Sequence, residues 1–314
     1  MTPLIVLAGP TAVGKTDISI KLAKKISGEI ISADSMQVYK GMNIGTAKIK
    51  ESEMDGVPHH LIDCFSPFHP FNVTEFQSIA KKCIEDITAR GNVPILAGGT
   101  GFYIDSVVYD TSFNEEEDDG YADSLWEISK EENGPDRLYE KLREVDPAST
   151  DIIHKNNIKR VIRALDFYHK NGKPISEHNA VEKAKESPYD VRYFVLTMNR
   201  ARLYERIDMR VDIMFDEGLV DEVIALKKQG LNESHISMQG IGYKELLPLI
   251  DSDFTITPEN IELAKSEIKQ DTRHFAKRQL TWFRRNPDVI WINKDELTDD
   301  EAVINKMLAK LIAT

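Results

Sequence analysis

Apolar positions along the chain alternate between two rhythms. Short continuous runs, Leu4 to Ala8, Gly28 to Ala33, Val93 to Ala97, Tyr189 to Thr197 and Val289 to Ile292, have the length and β-branched content of buried strands. Between them, apolar residues recur three and four apart. Ile18, Leu22 and Ile26 follow the first run, and Phe76, Ile79, Ala80, Cys83, Ile84 and Ile87 predict a helix from Asn72 or Thr74 to about Arg90, closed by Gly91. Further helices are predicted from Gly101 with Phe102, Tyr103 and Ile104, from Arg200 continuously to Gly230, from Pro258 to about Arg285, and at the end of the chain. Strands alternating with helices in this way predict an α/β fold around a parallel sheet.

At Phe113 the rhythm changes. Glu115-Glu116-Glu117-Asp118-Asp119-Gly120 reads as a solvated acidic linker, and from Tyr121 to about Glu186 only the helical period remains. Leu125, Trp126 and Ile128 mark one helix, Leu138, Leu142 and Val145 a second, and Ile158, Val161, Ile162, Leu165 and Phe167 a third. The expected organisation is an α/β core from residues 1–112 and 189–314, with an all-helical insertion at 113–188. Lys155, Lys159, Arg160 and Arg163 line one side of the third helix, as a solvated face or as a contact for a polyanion.

Composition narrows the class without naming a function. The 314 residues are 41% hydrophobic and 29% charged, which suits an ordinary globular chain, and no run approaches a membrane span or a secretory leader. Cys64 and Cys83 lack metal-ligand spacing and are expected to be small buried residues of a cytoplasmic protein. A formal charge of −12 argues mildly against nucleic acid, so any such contact must rest on local clusters. Adjacent His59 and His60 point to opposite sides of an extended chain and make a poor chelating pair.

The sharpest chemical signal follows the first strand. Gly9-Pro10-Thr11-Ala12-Val13-Gly14-Lys15-Thr16 is a GxxxxGKT loop between a strand and a helix. Its glycines let successive backbone N–H groups point at phosphate oxygens, and the helix N-terminus adds partial positive charge. Lys15 can reach a terminal phosphate and the Thr16 hydroxyl can ligate Mg²⁺, so a di- or triphosphate is the expected ligand.

Other groups should share that crevice, because parallel sheets gather ligands at the carboxyl ends of their strands. Asp34, Ser35 and Gln37 follow the second strand, although Asp34 could instead cap the next turn. Gly98-Gly99-Thr100-Gly101 is a second glycine-rich strand-to-helix turn, with Thr100 as its polar group. Arg206 and Arg210, four apart on a helix, are candidates for neutralising a leaving group. Gly240, Gly242, Tyr243 and Lys244 could hold a nucleotide backbone. Arg273, Lys277, Arg278 and Arg284 interleave with His274, Phe275, Trp282 and Phe283, as single-stranded nucleic acid binding requires.

Taken together, Gly9 to Thr16, Ser32-Ala33-Asp34-Ser35-Met36-Gln37-Val38-Tyr39, Gly98 to Tyr103, Asn157 to Leu165, Arg206 to Val211 and Gln239 to Lys244 make the chain resemble the tRNA dimethylallyltransferases, also called tRNA isopentenyltransferases. The resemblance runs essentially end to end. It implies a P-loop NTPase-like core whose helical insertion helps clasp the anticodon stem-loop of tRNA. It implies transfer of a five-carbon prenyl group from dimethylallyl diphosphate to N6 of the adenosine immediately 3′ of the anticodon, position 37. It also implies Mg²⁺ at Thr16, a monomer, and tRNA contacts from Asp34, Ser35, Met36 and Gln37, from Thr100, from the neighbourhood of Asp123, from Lys159, Arg160 and Arg163, and from Gly240, Gly242 and Tyr243.

On that reading the loop holds a diphosphate leaving group, with Lys15 and Arg206 or Arg210 supplying charge. Asp34 is the expected general base. A carboxylate is too weak to deprotonate an exocyclic amine beforehand, so it would take the proton late, as the new C–N bond makes nitrogen cationic. Two rivals use the same motifs: a P-loop small-molecule kinase, with Asp34 activating a hydroxyl, and an RNA-binding module with a nucleotide switch.

Overall fold

A computed structural model of the chain describes residues 1–113 and 119–312. Of the acidic linker expected over Glu115 to Gly120, the stretch from Glu115 to Asp118 lies outside the described residues. The chain forms two compact units, one of Met1–Val108 with Pro188–Thr314 and one of Tyr109–Ser187.

The first unit is built on six parallel strands: β1 (Thr2–Ala8), β2 (Gly28–Ala33), β3 (His59–His60), β4 (Val93–Gly98), β5 (Tyr189–Thr197) and β6 (Ile290–Asn293). Their order across the sheet is β3-β2-β4-β1-β5-β6. The apolar runs are strands because both faces of the sheet are covered, and Leu4, Val6, Leu7 and Ala8 are fully buried. Helices α1 (Lys15–Ile26), α2 (Val73–Ala89) and α3 (Gly101–Val108) follow the early strands. α9 (Arg200–Asp216), α10 (Leu219–Lys228), α11 (Tyr243–Leu246), α12 (Pro258–Phe283) and α13 (Asp300–Ile312) complete this unit. Its main core joins Leu7, Ile18, Leu22 and Ile95 to Phe194, Ile207, Ala276, Ile292 and Met307.

Register carries function here. Ala8 of β1 sits opposite Gly98 of β4, and Ala33 of β2 sits opposite the same Gly98. Three strands therefore end in one row, and the residues that follow, Gly9, Asp34 and Gly99, leave the sheet side by side. With strands about 4.8 Å apart, the outer two of these ends are roughly 10 Å from each other. The chain order reverses at this place, since β1 leads towards β2 while β4 is followed by β5 on the far side of β1.

The second unit contains α4 (Tyr121–Lys130), α5 (Gly134–Val145), α6 (Pro147–Thr150), α7 (Ile158–Asn171) and α8 (Ile175–Lys183). Leu125, Leu138, Leu142, Val161, Ile162, Ala164 and Leu165 form its core. Asp146, almost wholly buried, staples two of its helices: it accepts from Ser149 N at 3.1 Å, Ser149 Oγ at 2.6 Å, Ser176 N at 3.0 Å and Ser176 Oγ at 2.6 Å. The paired bonds satisfy a carboxylate that would otherwise be costly to bury.

Three expectations are corrected. The helix predicted without interruption from Arg200 to Gly230 breaks at Gly218, whose φ of 99° only glycine adopts freely, so the chain turns between α9 and α10. Cys64 is exposed rather than buried, and Cys83 is half-buried. Trp126 stays 40% exposed, because α4 contributes mainly Leu125 to its core. Among the described residues no helix is long and apolar enough to cross a membrane.

Candidate active site

The phosphate loop is shaped by its glycines. Gly14 has φ 92° and caps α1 without a side-chain bond, which leaves the first amides of that helix open to a ligand. Gly9 packs against β5 so closely that a Cβ there would lie 2.8 Å from the Leu196 carbonyl oxygen. Lys15 turns back over the loop and donates to Gly9 O at 2.9 Å and Pro10 O at 2.8 Å. Burial, reinforced by the charge of Arg210 and opposed by Asp34, brings its ammonium down to about 7.

α9 supplies two arginines to this loop, as its i,i+4 spacing led one to expect. Arg206 Nε donates to Ala12 O at 2.8 Å, and Arg210 Nη1 to Thr11 Oγ1 at 3.4 Å. Lys294, just beyond β6, was not singled out from the sequence. Its Nζ lies 3.0 Å from the place a Cβ on Gly14 would occupy, and it pairs with Asp300 at 3.0 Å. Four cations thus surround one anion-binding turn, an arrangement suited to charge that grows on a leaving diphosphate.

Asp34 follows β2 and does two things at once. Its Oδ1 accepts the backbone N–H groups of Met36 at 2.9 Å and Gln37 at 3.3 Å, which makes the capping turn that the sequence allowed. The carboxylate nevertheless lines the cavity with Lys15, Thr16, Arg206 and Arg210. That cavity holds about 1300 Å³, above the range of a typical small-molecule pocket. Apolar side chains, Ile44, Ile49, Ile62, Met209, Ile213 and Phe275, share its other walls with polar ones such as Asn43, Thr46 and Lys48.

The second glycine turn reaches the same row. Thr100 N donates to Ala33 O at 3.2 Å, while its carbonyl accepts Tyr103 N and Ile104 N at the start of α3. Gln279, buried on α12, links the turns by accepting Thr11 N–H at 2.9 Å and donating to Gly99 O at 2.9 Å. Nothing in the residue pattern distinguished this glutamine from its neighbours. Ser35 and Met36 are half-buried, and Met36 Sδ lies 3.2 Å from the Cβ position of Gly240.

Two groups of expected RNA contacts are placed otherwise than foreseen. Gly240 and Gly242 are buried, and Tyr243 is wholly so, with its hydroxyl donating to Glu222 Oε1 at 2.7 Å. These residues pack a turn rather than present a surface, and Gly242 is needed for its φ of 99°. On α12 the four rings do not form one exposed set: Phe283 is buried, and half-buried Trp282 donates its Nε1 to Asp105 at 2.7 Å. Arg273 pairs with Asp208 at 2.5 Å. The outward face keeps Lys277, Arg278, Arg284 and Arg285, a cationic stripe that retains the exposed His274 ring but not Phe283.

In the second unit Lys159, Arg160 and Arg163 are exposed on α7, and among the described residues none of them meets a carboxylate. Lys155 is neutralised by Asp136 at 2.8 Å. Asp123 is exposed in the first turn of α4.

A profile of the family described as IPP transferase matches residues 37–286. A tRNA dimethylallyltransferase of Lachnoclostridium phytofermentans is 50% identical over 309 residues, 98% of this chain and 97% of its own. The full-length tRNA isopentenylpyrophosphate transferase of Bacillus halodurans superposes with a TM-score of 0.73 at 41% identity, over 99% of this chain and 96% of that one. A eukaryotic dimethylallyltransferase, captured acting on tRNA, gives a TM-score of 0.79 at 30% identity over all of this chain and 78% of its own. Proteins named as tRNA dimethylallyl- or isopentenylpyrophosphate transferases thus match the chain over nearly its whole length, and the chain belongs to the IPP transferase family.

Proposed function

We propose that this chain transfers a dimethylallyl group from dimethylallyl diphosphate to N6 of the adenosine immediately 3′ of the anticodon, position 37, in tRNA. One observation carries the reading. The phosphate loop, Asp34 and the Gly98–Thr100 turn leave three neighbouring strands in one row, so a leaving-group cradle and a carboxylate open together into one large, half-apolar cavity.

The diphosphate binds against the open amides of α1, with Lys15, Arg206 and Arg210 around it. As the carbon–oxygen bond breaks, negative charge builds on that diphosphate, and these cations stabilise it there more than in the bound donor. The prenyl tail takes the apolar wall. The target adenine leaves its stack, at a cost of a few kcal/mol, and presents N6 to the donor carbon. Asp34, whose Oδ2 is not engaged by the turn, takes the amine proton as the bond to carbon forms.

The donor set fits Mg²⁺ in kind. Among the described residues no three acidic, histidine or cysteine side chains converge on a metal site, whereas Thr16 and Asp34 line the phosphate cavity. Mg²⁺ is commonly held by few protein groups together with substrate phosphates. When bound, the ion would add to the neutralisation of the diphosphate. Lys159, Arg160 and Arg163, with the cationic face of α12, would hold RNA phosphates, which makes binding strongly salt-dependent despite the acidic total. A cytoplasmic monomer suits such a substrate. The kinase reading falls away, since the matched relatives are dimethylallyl- and isopentenyltransferases.

The test is mass spectrometry of nucleosides from unmodified tRNA incubated with the protein, Mg²⁺ and dimethylallyl diphosphate. N6-dimethylallyl adenosine at position 37 is the expected product, and its absence overturns the proposal.

A further inference from the structure

Glu222 of α10 makes an arrangement that the reaction as described leaves unused. Its Oε2 accepts the backbone N–H groups of Asn43 and Ile44, both at 2.8 Å, and its Oε1 accepts Gly45 N–H at 3.0 Å and the Tyr243 hydroxyl at 2.7 Å. Three consecutive amides on one carboxylate form an anion nest, here closed by a protein side chain. The Tyr243 ring packs against this turn, and a Cβ on Gly45 would come within 2.6 Å of it. Lys48 fixes the far end of the loop by donating to Tyr39 O at 2.6 Å, Asn43 Oδ1 at 3.0 Å and Asp63 Oδ1 at 2.5 Å.

What this rigid loop does is visible at Gln37. The Gln37 Nε2 donates to Thr46 O at 3.2 Å and to Ala47 O at 3.4 Å, and its Oε1 accepts the Ser32 hydroxyl at 3.3 Å. Turning the amide over would set Oε1 against two carbonyl oxygens, so the loop permits one orientation. Both amide protons are then spent, and the only group Gln37 can still offer a ligand is an acceptor. Gln37, Thr46 and Ala47 all line the cavity.

We propose that Glu222, with Tyr243, is a positioning residue that holds the 43–47 loop so that Gln37 is locked as an acceptor towards the incoming base, which selects a base carrying an exocyclic amine over one carrying a carbonyl there. The inference rests on the proposed function, which brings an adenine to this cavity. Adenine N6–H donates to Gln37 Oε1, whereas the C6 carbonyl of hypoxanthine repels it. A site that presents only an acceptor at that point disfavours a second acceptor, because the mismatch sets two oxygens against each other.

The experiment measures equilibrium binding of two anticodon stem-loop RNAs, with adenine or hypoxanthine at position 37, to wild type and to Glu222→Gln, Tyr243→Phe and Gln37→Leu. Wild type should favour adenine by about tenfold, the scale of one well-placed polar contact to a base. Gln37→Leu should reduce the ratio to about one, and Glu222→Gln to below about three, while affinity for inorganic diphosphate stays within about twofold of wild type. Tyr243→Phe removes a single bond of the clamp and should fall between, which keeps the test decisive if Glu222→Gln does not fold. A wild-type ratio in the folded clamp variants, or no preference in wild type, overturns the inference. A wild-type protein that makes no prenylated adenosine overturns the proposed function instead.

Discussion

The backbone N–H of Thr11 donates to the side chain of Gln279 at 2.9 Å, although 268 residues separate them in sequence. The same side chain donates to Gly99, where a Cβ would lie 2.2 Å from Gln279 Nε2. One buried amide on α12 thus sets the spacing between the turn that cradles phosphate and the turn that carries Thr100. Gln279→Leu strands two buried backbone groups and should lower stability by about 2–4 kcal/mol in urea unfolding. Turnover of the folded variant should drop about 10²-fold, the scale of a 1 Å misplacement. Unchanged turnover in the folded variant would remove this tie from the reaction.

Asp34→Asn separates the two tasks of that side chain. The amide oxygen can still accept the Met36 N–H, so the turn survives, but the base is gone. Single-turnover prenyl transfer should fall by about 10²–10⁴, while RNA affinity stays within about threefold. A parallel loss of RNA affinity would assign Asp34 to the fold of the turn alone.

Exposed cations on α7 should register as salt dependence. Lys159→Ala and Arg163→Ala should each reduce the slope of log affinity for tRNA against log salt by about 1. Slopes equal to wild type would leave that helix face solvated.

Asp105 carries a pH signature opposite to that of most carboxylates. Burial raises it to about 6, and the hydrogen bonds from Trp282 and Tyr193 only partly offset that. A raised acid leaves the native state proton-bound, so stability is full below the unfolded value near 4 and is lost as pH rises through about 6. Asp105→Asn keeps an acceptor for the Trp282 N–H. It should raise stability at pH 7.5 by about 1–2 kcal/mol, and the gain should vanish by pH 4, as read by thermal melts.

Glu29 has the usual sign. Burial pushes its carboxyl up, but hydrogen bonds from Arg90, Asn92 and His60 outweigh this and hold it at about 2. Its contribution is present above about 4.5 and is lost as pH falls towards 2. Glu29→Gln should cost about 3 kcal/mol at pH 7 and flatten the acid limb of the stability profile between pH 4.5 and 2.

The sheet was readable in the chain because buried parallel strands leave unbroken apolar runs, as at Leu4 to Ala8 and Val93 to Ala97. β3 was not, since two histidines paired with Ile30 and Ile31 leave no periodic trace. The phosphate loop, Asp34 and the arginines of α9 were legible because each sits at a strand end or a helical spacing that chemistry dictates. Gln279, Glu222 and Lys294 act through partners distant in sequence, and their own neighbourhoods look like ordinary helix and loop. Tyr243 misled for the converse reason. A Gly-x-Gly-Tyr-Lys run suggests a surface for phosphates, yet the Tyr243 ring turns inward onto Gly45, where a Cβ would lie 2.6 Å from it. On α12 the alternation of rings and cations was real, but the helix turns Phe283 into the core and ties Trp282 to Asp105, while Lys277, Arg278 and Arg284 stay exposed.

β1 lies between β4 and β5, and the chain passes through all of 109–187 before β5 begins. During translation the first strand therefore waits on the order of ten seconds or more for its second neighbour. The helical unit, whose contacts are local in sequence, can close in that interval. Gly9 leans on the Leu196 carbonyl, so the nascent chain has no finished anion cradle until residue 196 has left the ribosome.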